Sequence, residues 1–523
     1  MKNKIFILAA ITALFLGSCA KEQPVESSEI VKQENPHLIP VSEAVASLDS
    51  FLSEIEEETT KSGVTVQKRR IRDVKTVYSS AVYTKSSSDE DNDVNELLYI
   101  VDFENNHGYA ILSADDRIGV DILAVFDSGN SGSSGISRAP LKTYDARLIY
   151  DDYPKDGPGI LVDEEGDQYM NPNTFSLYDD AMGEYLVGDI TVQGRSSSTG
   201  TGSGSSSGSG SGSNKFDDRI MDYIGDRISK DDKGGLNEDV SKRIDNPEDT
   251  GNEDIVRVET SKGPYKRDII VMPMLAFAKS WHQSSPFNDW FKKVKDKKTK
   301  VKKNAAAGCV PLALAKILCY NDYPKTISYG GVTVTMSHLK TSQIGDPGFN
   351  GQAASLLKYI AEECGSLYFR EGTFTFPFRA KNFLKKSRYR SVAYDEYSTD
   401  SVIHSLDSDK PVFVCSIPKT DKKNYDLEKS HAWMIDGYMK RTQTTTHYRY
   451  RNNKLETKWT STSSNTMVHC DFGWRGESNG YFTSGIFNFA DGENTEFDNT
   501  SDKGKKVRDY KWYLKTIIYD KPF

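Results

Sequence analysis

A run of serine and glycine divides this chain and limits how it can fold. Residues 195–213 are almost entirely Ser and Gly, with two Thr. Such a composition cannot bury apolar surface and behaves as a flexible coil. The run therefore marks a boundary in the chain, and we expect folded structure on each side of it. A chain of 523 residues has room for two to four domains of roughly 100–200 residues each.

The composition argues against two broad classes of protein. Hydrophobic residues make up 37% of the chain and aromatic residues 11%, which is enough for a large core and argues against disorder throughout. The net charge of −8 argues against a general nucleic-acid-binding protein, so we predict no nucleic-acid partner. The six cysteines include no CxxC pair and are too few for a disulfide framework.

The N-terminus has the pattern of an exported lipoprotein. Lys2 and Lys4 precede an apolar run over residues 5–16, and small residues then lead to Cys19. The run is shorter than the ~20 residues of a membrane-spanning helix, so it predicts a signal peptide. Its end resembles a bacterial lipobox, which implies cleavage before Cys19 and a lipid anchor on that cysteine. An ordinary secretory signal with a chance cysteine is the alternative.

The part of the chain before the Ser/Gly run predicts a compact α+β unit. Apolar residues recur at helical spacing around a capping candidate, Ser42. They are Val41, Val45, Leu48 and Leu52. Short stretches rich in Val, Ile and Tyr then predict strands at residues 75–84, 97–103, 108–114 and 120–126.

Cys309 is the candidate nucleophile of the second half. It follows small residues at 304–308 and opens an apolar stretch typical of a helix, with Pro311 tolerated in the first turn. Free backbone N–H groups and the positive end of the helix dipole would favour its thiolate. Without a base, the alternative is a small buried apolar cysteine.

His431 is the candidate base for this thiol. It heads an apolar strand that ends in a glycine turn. A cysteine with a histidine far downstream is typical of thiol hydrolases, in which the imidazole takes the thiol proton and later protonates the leaving amine. A second short strand runs through Asp471 into a Gly-rich turn. We predict that Asp471 orients the imidazole and that Trp474 shields the pair from water.

The oxyanion of such a reaction needs a hydrogen-bond donor. Gln283 lies upstream of the nucleophile and could supply a side-chain N–H. A donor in this position is worth about 3 kcal/mol in comparable sites.

The remaining histidines and cysteines predict no further chemistry. The histidines considered, none of which has partners at metal-ligand spacing, are His282, His338, His404, His447 and His469. We therefore predict no metal site and no cofactor. Four cysteines are predicted to be small buried residues, namely Cys319, Cys364, Cys415 and Cys470.

Taken in the order in which they stand along the chain, these motifs resemble the streptopain family of papain-like bacterial cysteine peptidases. They stand at residues 283–288, 307–310, 431–437 and 473–482. The resemblance implies that Cys309 is the nucleophile, His431 the base and Gln283 the oxyanion donor. Members of the family are made as zymogens, and residues 98–126 resemble the family's inhibitory propeptide.

The last motif departs from the family pattern. The family has Asn-Trp-Gly-Trp-Gly-Gly, whereas this chain has Asp471, Phe472 and Arg475 in place of the Asn, one Trp and one Gly. An aspartate can still orient a histidine and would raise its pKa. The departure therefore affects the expected pH optimum and the wall of the substrate cleft.

These observations and the resemblance predict an α+β fold, with an N-terminal α+β propeptide followed by a papain-like two-lobed α+β cysteine peptidase domain. The predicted division is a signal peptide, a tether, a propeptide, a Ser/Gly-rich linker with the activation region, and the peptidase domain. Their ranges are 1–18, 19–35, 36–193, 194–262 and 263–523.

The predicted function is that of a lipid-anchored zymogen of a cysteine endopeptidase. It is expected on the outer membrane or cell surface, from which the mature enzyme can be released. Its expected partners are polypeptide substrates, its own propeptide as an intramolecular inhibitor, and a membrane through Cys19. Cleavage is expected between Gly212 and Arg267, in exposed polar chain. The alternatives are a catalytically dead binding or inhibitor module and a thiol amidase acting on cell-wall peptides.

Overall fold

The computed structural model describes the chain in separate stretches between residues 37 and 522. They are residues 37–61, 68–78, 96–129, 131, 160–162, 168–170, 178–179, 184–185, 256–295, 301–368, 372–417, 430–487, 489–490, 507–508, 510 and 513–522. The signal peptide, Cys19, the tether and the Ser/Gly run lie outside the described residues. The described residues from His37 onward belong to one compact unit.

The described residues contain long central helices and shorter peripheral ones. The helices are α1 (Val41–Lys61), α2 (Cys309–Asn321), α3 (Met336–Thr341), α4 (Phe349–Glu363), α5 (Pro377–Lys386) and α6 (Thr399–Asp407).

Strands make up most of the remaining regular structure. The first twelve are β1 (Ile71–Tyr78), β2 (Glu96–Phe103), β3 (Tyr109–Ser113), β4 (Ile122–Phe126), β5 (Ile160–Val162), β6 (Gln168–Met170), β7 (Tyr178–Asp179), β8 (Glu184–Tyr185), β9 (Val256–Lys262), β10 (Lys266–Val271), β11 (Lys293–Lys295) and β12 (Lys302–Asn304). The others are β13 (Thr326–Tyr329), β14 (Val332–Thr335), β15 (Leu367–Tyr368), β16 (Thr373–Phe374), β17 (Arg390–Glu396), β18 (Val412–Ser416), β19 (His431–Arg451), β20 (Lys454–Asp471), β21 (Gly480–Thr483), β22 (Phe489–Ala490), β23 (Val507–Arg508) and β24 (Lys515–Asp520).

One antiparallel sheet of twelve strands runs through both halves of the chain. Its order is β1-β2-β3-β4-β21-β20-β19-β18-β24-β17, with β9 and β10 also pairing with β19. The strands before the Ser/Gly run join those after it where β4 pairs with β21. Helices pack on this sheet, so the predicted α+β class is confirmed.

The predicted elements of the N-terminal segment, which we define as the described residues between 37 and 131, are present with shifted boundaries. The first strand begins at Ile71 rather than at residue 75. The predicted cap Ser42 lies inside α1, and the carbonyl of Pro40 instead accepts hydrogen bonds from the first-turn N–H groups. The helix buries Ala44 and Phe51 with Leu48 and Leu52, whereas Val41 is exposed.

Strand β19 organises the sheet because three strands follow one another along one of its edges. It pairs with β20 from Met434 to Arg451 on one side, and with β18, β10 and β9 in succession on the other. Gly437 stands where this edge passes from β18 to β10, and a Cβ there would lie 2.7 Å from the Val271 carbonyl oxygen. Glycine is therefore required by the close approach of the two backbones.

Three apolar cores hold the helices and the sheet together. The first contains α2, α3 and α4 and one face of β18, β19 and β24. The other two each combine side chains of the N-terminal segment with side chains of β19, β20 and β21. Phe51 of α1, for example, packs edge-on against Tyr481. The N-terminal segment therefore shares its apolar interior with the second half of the chain.

The two ends of the lysine-rich run at 292–303 pair as the strands β11 and β12. In the described part of the chain, no helix is long and apolar enough to cross a membrane.

Candidate active site

The loop before Cys309 is held by hydrogen bonds to its backbone. The Asn288 side-chain amide donates to the Ala305 carbonyl at 3.0 Å, and the Thr373 hydroxyl donates to the Ala306 carbonyl at 2.7 Å. The Ala307 N–H donates to the carbonyl of Gln283 at 2.9 Å. This loop is buried and cannot shift without breaking these bonds, so the start of α2 has a fixed position.

Cys309 is the first residue of α2 and differs from the other described cysteines in its exposure. It is half-buried, whereas the other four are buried as the sequence predicts. Burial raises the pKa of the Cys364 thiol to about 12 and that of Cys470 well above its usual value. A helix N-terminus favours an anion, so Cys309 is the described thiol best placed to react.

His431 is the first residue of β19 and is buried. Its Nε2 lies 2.9 Å from the carbonyl oxygen of Phe472. Because a carbonyl only accepts hydrogen bonds, Nε2 carries the hydrogen and donates it. In the neutral ring, Nδ1 then holds the lone pair that can accept a proton.

Aromatic rings surround the imidazole of His431. The Trp474 ring is nearest, with 4.4 Å between the ring centroids. Phe472, Tyr510 and Trp433 follow at 6.1, 6.2 and 6.4 Å. These rings cover the imidazole, which is 3% exposed. The role of Trp474 in shielding the pair from water stays a prediction.

The structure gives Asp471 a different partner from the one predicted. Its Oδ2 lies 2.7 Å from the ammonium Nζ of Lys316, and its Oδ1 accepts the Gly473 N–H at 3.0 Å. The imidazole of His431 donates instead to the next residue's carbonyl. Lys316 lies on α2, two turns after Cys309, and the side chains of Lys316 and Asp471 are 1% and 2% exposed. Asp471 therefore ties the sheet to α2, the helix that begins at Cys309.

The turn at residues 471–476, which we call the site turn, packs closely against α2. Gly473 has a φ of 72°, and a Cβ at this position would lie 2.6 Å from Leu312 Cδ2. Only glycine satisfies both the backbone conformation and the contact.

Gln283 joins the same site through its neighbours. It is buried, and its carbonyl bonds the loop that precedes Cys309. The preceding His282 is 3.0 Å from the Arg475 guanidinium, and Arg475 adopts a φ of 60° at a position where the family has glycine. Burial, and then the Arg475 charge, lower the pKa of His282 to about 4, so that imidazole is neutral. The structure thus brings Gln283, Cys309, His431, Asp471 and Trp474 into one region.

A buried ionic cluster lies beside this region and was missed by the sequence reasoning. His469 Nδ1 is 2.6 Å from Asp436 Oδ1, and its Nε2 is 3.3 Å from Asp127 Oδ2. Burial alone would lower the pKa of His469, but the two carboxylates outweigh it and raise the pKa to about 10. Asp127 belongs to the N-terminal segment, 342 residues away in sequence. No local pattern signals such a pair.

The cluster predicts that the stability of the full chain falls at alkaline pH. The folded-state pKa of His469 is about 10 against 6.5 ordinarily, so its contribution is complete below about pH 6.5 and is lost as the pH rises toward 10. Urea unfolding of the Cys309→Ala chain should show the free energy of unfolding declining across this window. His469→Gln should be less stable than its parent at pH 6 and should lack this part of the decline. Equal pH slopes for the two chains would contradict the prediction.

Comparisons with known proteins agree with the resemblance to the streptopain family. The model of the Peptidase C10 family matches residues 351–482, which include His431, Asp471 and Trp474. This match confirms the resemblance and supports a cysteine peptidase, a hydrolase. No curated protein matches the chain. A solved structure of a mutant fragment of Prevotella intermedia prointerpain A is 14% identical, covering 87% of this chain and 100% of that one with a TM-score of 0.38.

Proposed function

We propose that the chain is the zymogen of a cysteine endopeptidase with Cys309 as nucleophile and His431 as base, a function supported by the match of residues 351–482 to the Peptidase C10 family. One observation carries the proposal. The imidazole of His431 uses Nε2–H on the Phe472 carbonyl, which leaves Nδ1 as the base, while Cys309 opens a helix with a half-buried thiol.

Proton transfer in the proposed reaction runs between these two side chains. Nδ1 of His431 takes the Sγ proton of Cys309, and the thiolate attacks the peptide carbonyl carbon. The imidazolium returns the proton to the leaving amine as the C–N bond breaks, leaving a thioester. A water then loses a proton to Nδ1 and attacks the thioester, which releases the carboxylic acid and restores the thiol.

The oxyanion formed in both steps needs donors near Cys309. We propose the Gln283 side-chain amide as one donor, because the backbone of Gln283 is bonded to the loop that precedes the nucleophile. The backbone N–H of Cys309, at the start of α2, is the second. Donors fixed in this way stabilise the charge without reorganising during the reaction.

The N-terminal segment is proposed to act as the inhibitor. Its strand β4 pairs with β21 directly after the site turn, and the Ser128 hydroxyl donates to the Gly476 carbonyl at 3.1 Å. Asp127 also lies 3.4 Å from Lys279, four residues before Gln283. The segment thus ends against both sides of the site. From residue 256 onward, β9 and β10 are paired with β19, so we place the activating cleavage before Val256.

The departures from the family motif do not favour a dead binding module. Asp471 pairs with Lys316, Phe472 presents the carbonyl that binds the imidazole, and Arg475 reaches His282. Each residue therefore has a place in a site that retains the thiol and the base. We retain the lipid anchor on Cys19 and the outer-membrane or cell-surface location as proposals from the sequence.

An active-site label tests this function. Residues 20–523 are first incubated alone and then with an epoxide inhibitor of papain-like enzymes, and the intact mass is measured for wild type, Cys309→Ala and Cys364→Ala. We expect wild type to shorten and take up one inhibitor, Cys364→Ala to do the same, and Cys309→Ala to do neither. An unlabelled wild-type chain, even after the N-terminal half is removed by an added protease, would overturn the proposal.

A further inference from the structure

The carbonyl that orients His431 belongs to a peptide unit that is itself held on both sides. Phe472 C=O and Gly473 N–H are the two ends of one peptide group. The C=O accepts from His431 Nε2 at 2.9 Å, and the N–H donates to Asp471 Oδ1 at 3.0 Å. The preceding peptide donates its Phe472 N–H to the side-chain Oδ1 of Asn479 at 2.9 Å.

We propose that Asn479 is a positioning residue for the catalytic base, acting through the Phe472 backbone. Its side chain fixes the peptide before Phe472, and Asp471 fixes the peptide after it. With both peptides fixed, the carbonyl of the second one can point only at Nε2 of His431. This inference deepens the proposed function and rests on it.

Burial makes this arrangement restrictive. Asn479 is 1% exposed and Phe472 is 1% exposed, so water does not replace a lost hydrogen bond there. The Asn479 backbone is fixed as well, because its C=O accepts from the Asp127 N–H at 2.9 Å and the next residue begins β21. The acceptor oxygen therefore has a defined position relative to the site turn.

The fixed carbonyl controls which nitrogen of the imidazole is the base. When the carbonyl binds Nε2–H, the neutral ring keeps its lone pair on Nδ1. If the Phe472 N–H lost its acceptor, the peptide before Phe472 would rotate toward another partner. The resulting change in the Phe472 backbone would move the following peptide and carry its carbonyl away from Nε2. The tautomer with hydrogen on Nδ1 would then gain population, and that tautomer cannot take a proton from the thiol.

The same carbonyl also stabilises the imidazolium. A hydrogen bond from a charged donor is stronger than one from a neutral donor, so the bond to Phe472 favours the protonated ring. Loss of the Asn479 side chain should therefore lower the pKa of the imidazolium in the thiolate–imidazolium pair. The alkaline limb of the pH–rate profile would move to lower pH.

The kinetic experiment compares Asn479→Ala, Asn479→Asp and Asn465→Ala in the full chain after activation. Rates are corrected for active sites by inhibitor titration. Asn479→Ala should lower kcat by at least about tenfold, with little change in KM. This loss is a part of the roughly hundred- to ten-thousandfold acceleration that base catalysis supplies. Its alkaline limb should shift to lower pH. Asn479→Asp keeps an acceptor oxygen and should recover most of kcat without that shift.

Asn465→Ala controls for the loss of a buried amide. Asn465 is 4% exposed on β20 and pairs with Arg441, away from the site turn. This variant should keep the wild-type pH profile whatever its stability. If Asn479→Ala matched wild type in kcat and pH profile while both cleaved peptide, the inference would be overturned and the proposed function would stand.

A second measurement does not depend on activity. Nitrogen-15 NMR of the histidine side chains, in the full chain with Cys309→Ala, reports the tautomer of His431. We expect hydrogen on Nε2 in this parent and a mixture with the Nδ1 form when Asn479→Ala is added. An unchanged single tautomer in the double variant would overturn the inference, even if the wild-type chain proved inactive.

Discussion

Replacing Asp471 with Asn should lower the free energy of unfolding by about 3–5 kcal/mol, because it leaves the Lys316 ammonium buried without a counter-charge. Lys316 is 1% exposed, and the residues on either side of it in α2 are buried. Asn has nearly the shape of Asp, so the change isolates the charge. Denaturant unfolding of the inactive Cys309→Ala chain, with and without Asp471→Asn, gives the difference.

A double variant separates the charge from the packing. Lys316→Met combined with Asp471→Asn removes both charges and should recover most of the loss, since apolar replacements of buried ion pairs are often neutral or stabilising. Glu57→Gln is the surface control, because Glu57 and Lys61 form an exposed pair and should contribute little. A loss for Asp471→Asn no larger than that of Glu57→Gln would show that the pair does not hold the site turn on α2.

This pair illustrates what the sequence could and could not predict at the site. The spacing around Cys309 predicts the start of α2, and the apolar stretch after His431 predicts β19, because each depends on local pattern. The partner of Asp471 lies 155 residues away, so only the fold decides it. The one available signal was Lys316 itself, a charged residue inside an otherwise apolar helix.

The same limit applies to the fold, whose buried strands could be predicted from the sequence, whereas its solvent-facing ribbon could not. Strands β3 and β4 of the N-terminal segment bury all their side chains, so Val, Ile and Tyr mark them in the sequence. The distal parts of β19 and β20, over residues 442–464, form a long polar ribbon that faces solvent. A strand that buries neither face shows no alternation of apolar and polar residues, and its length cannot be predicted from periodicity.

Replacing Asp121 with Asn should open the zymogen, because Asp121 neutralises a buried arginine across the interface with the N-terminal segment. Arg441 is 1% exposed on β19, and its Nη1 lies 2.9 Å from Asp121 Oδ2. Two further oxygens near Arg441 also come from that segment, the Ser47 carbonyl at 3.5 Å and Glu54 Oε2 at 3.7 Å. Truncating one partner of a buried charge pair costs about 2–5 kcal/mol.

The expected result is faster access of inhibitor to Cys309 in chains that are still uncleaved. If the N-terminal segment is bound more weakly by that amount, the population of chains in which it has moved away from Cys309 should rise by about thirtyfold or more. The labelling rate should rise by the same factor. The measurement is the rate at which the epoxide appears on the full-length mass, for wild type and Asp121→Asn. Asp49→Asn, an exposed change on α1, is the matched control and should label at the wild-type rate.

Adding Arg441→Met to Asp121→Asn tests whether the unpaired charge is the cause. With the buried arginine charge removed as well, the segment should close again and the labelling rate should fall back toward wild type. If Asp121→Asn labelled no faster than Asp49→Asn, the N-terminal segment would not limit access to Cys309. Its shared sheet and cores would then serve stability alone, and the inhibitor would have to lie elsewhere in the chain.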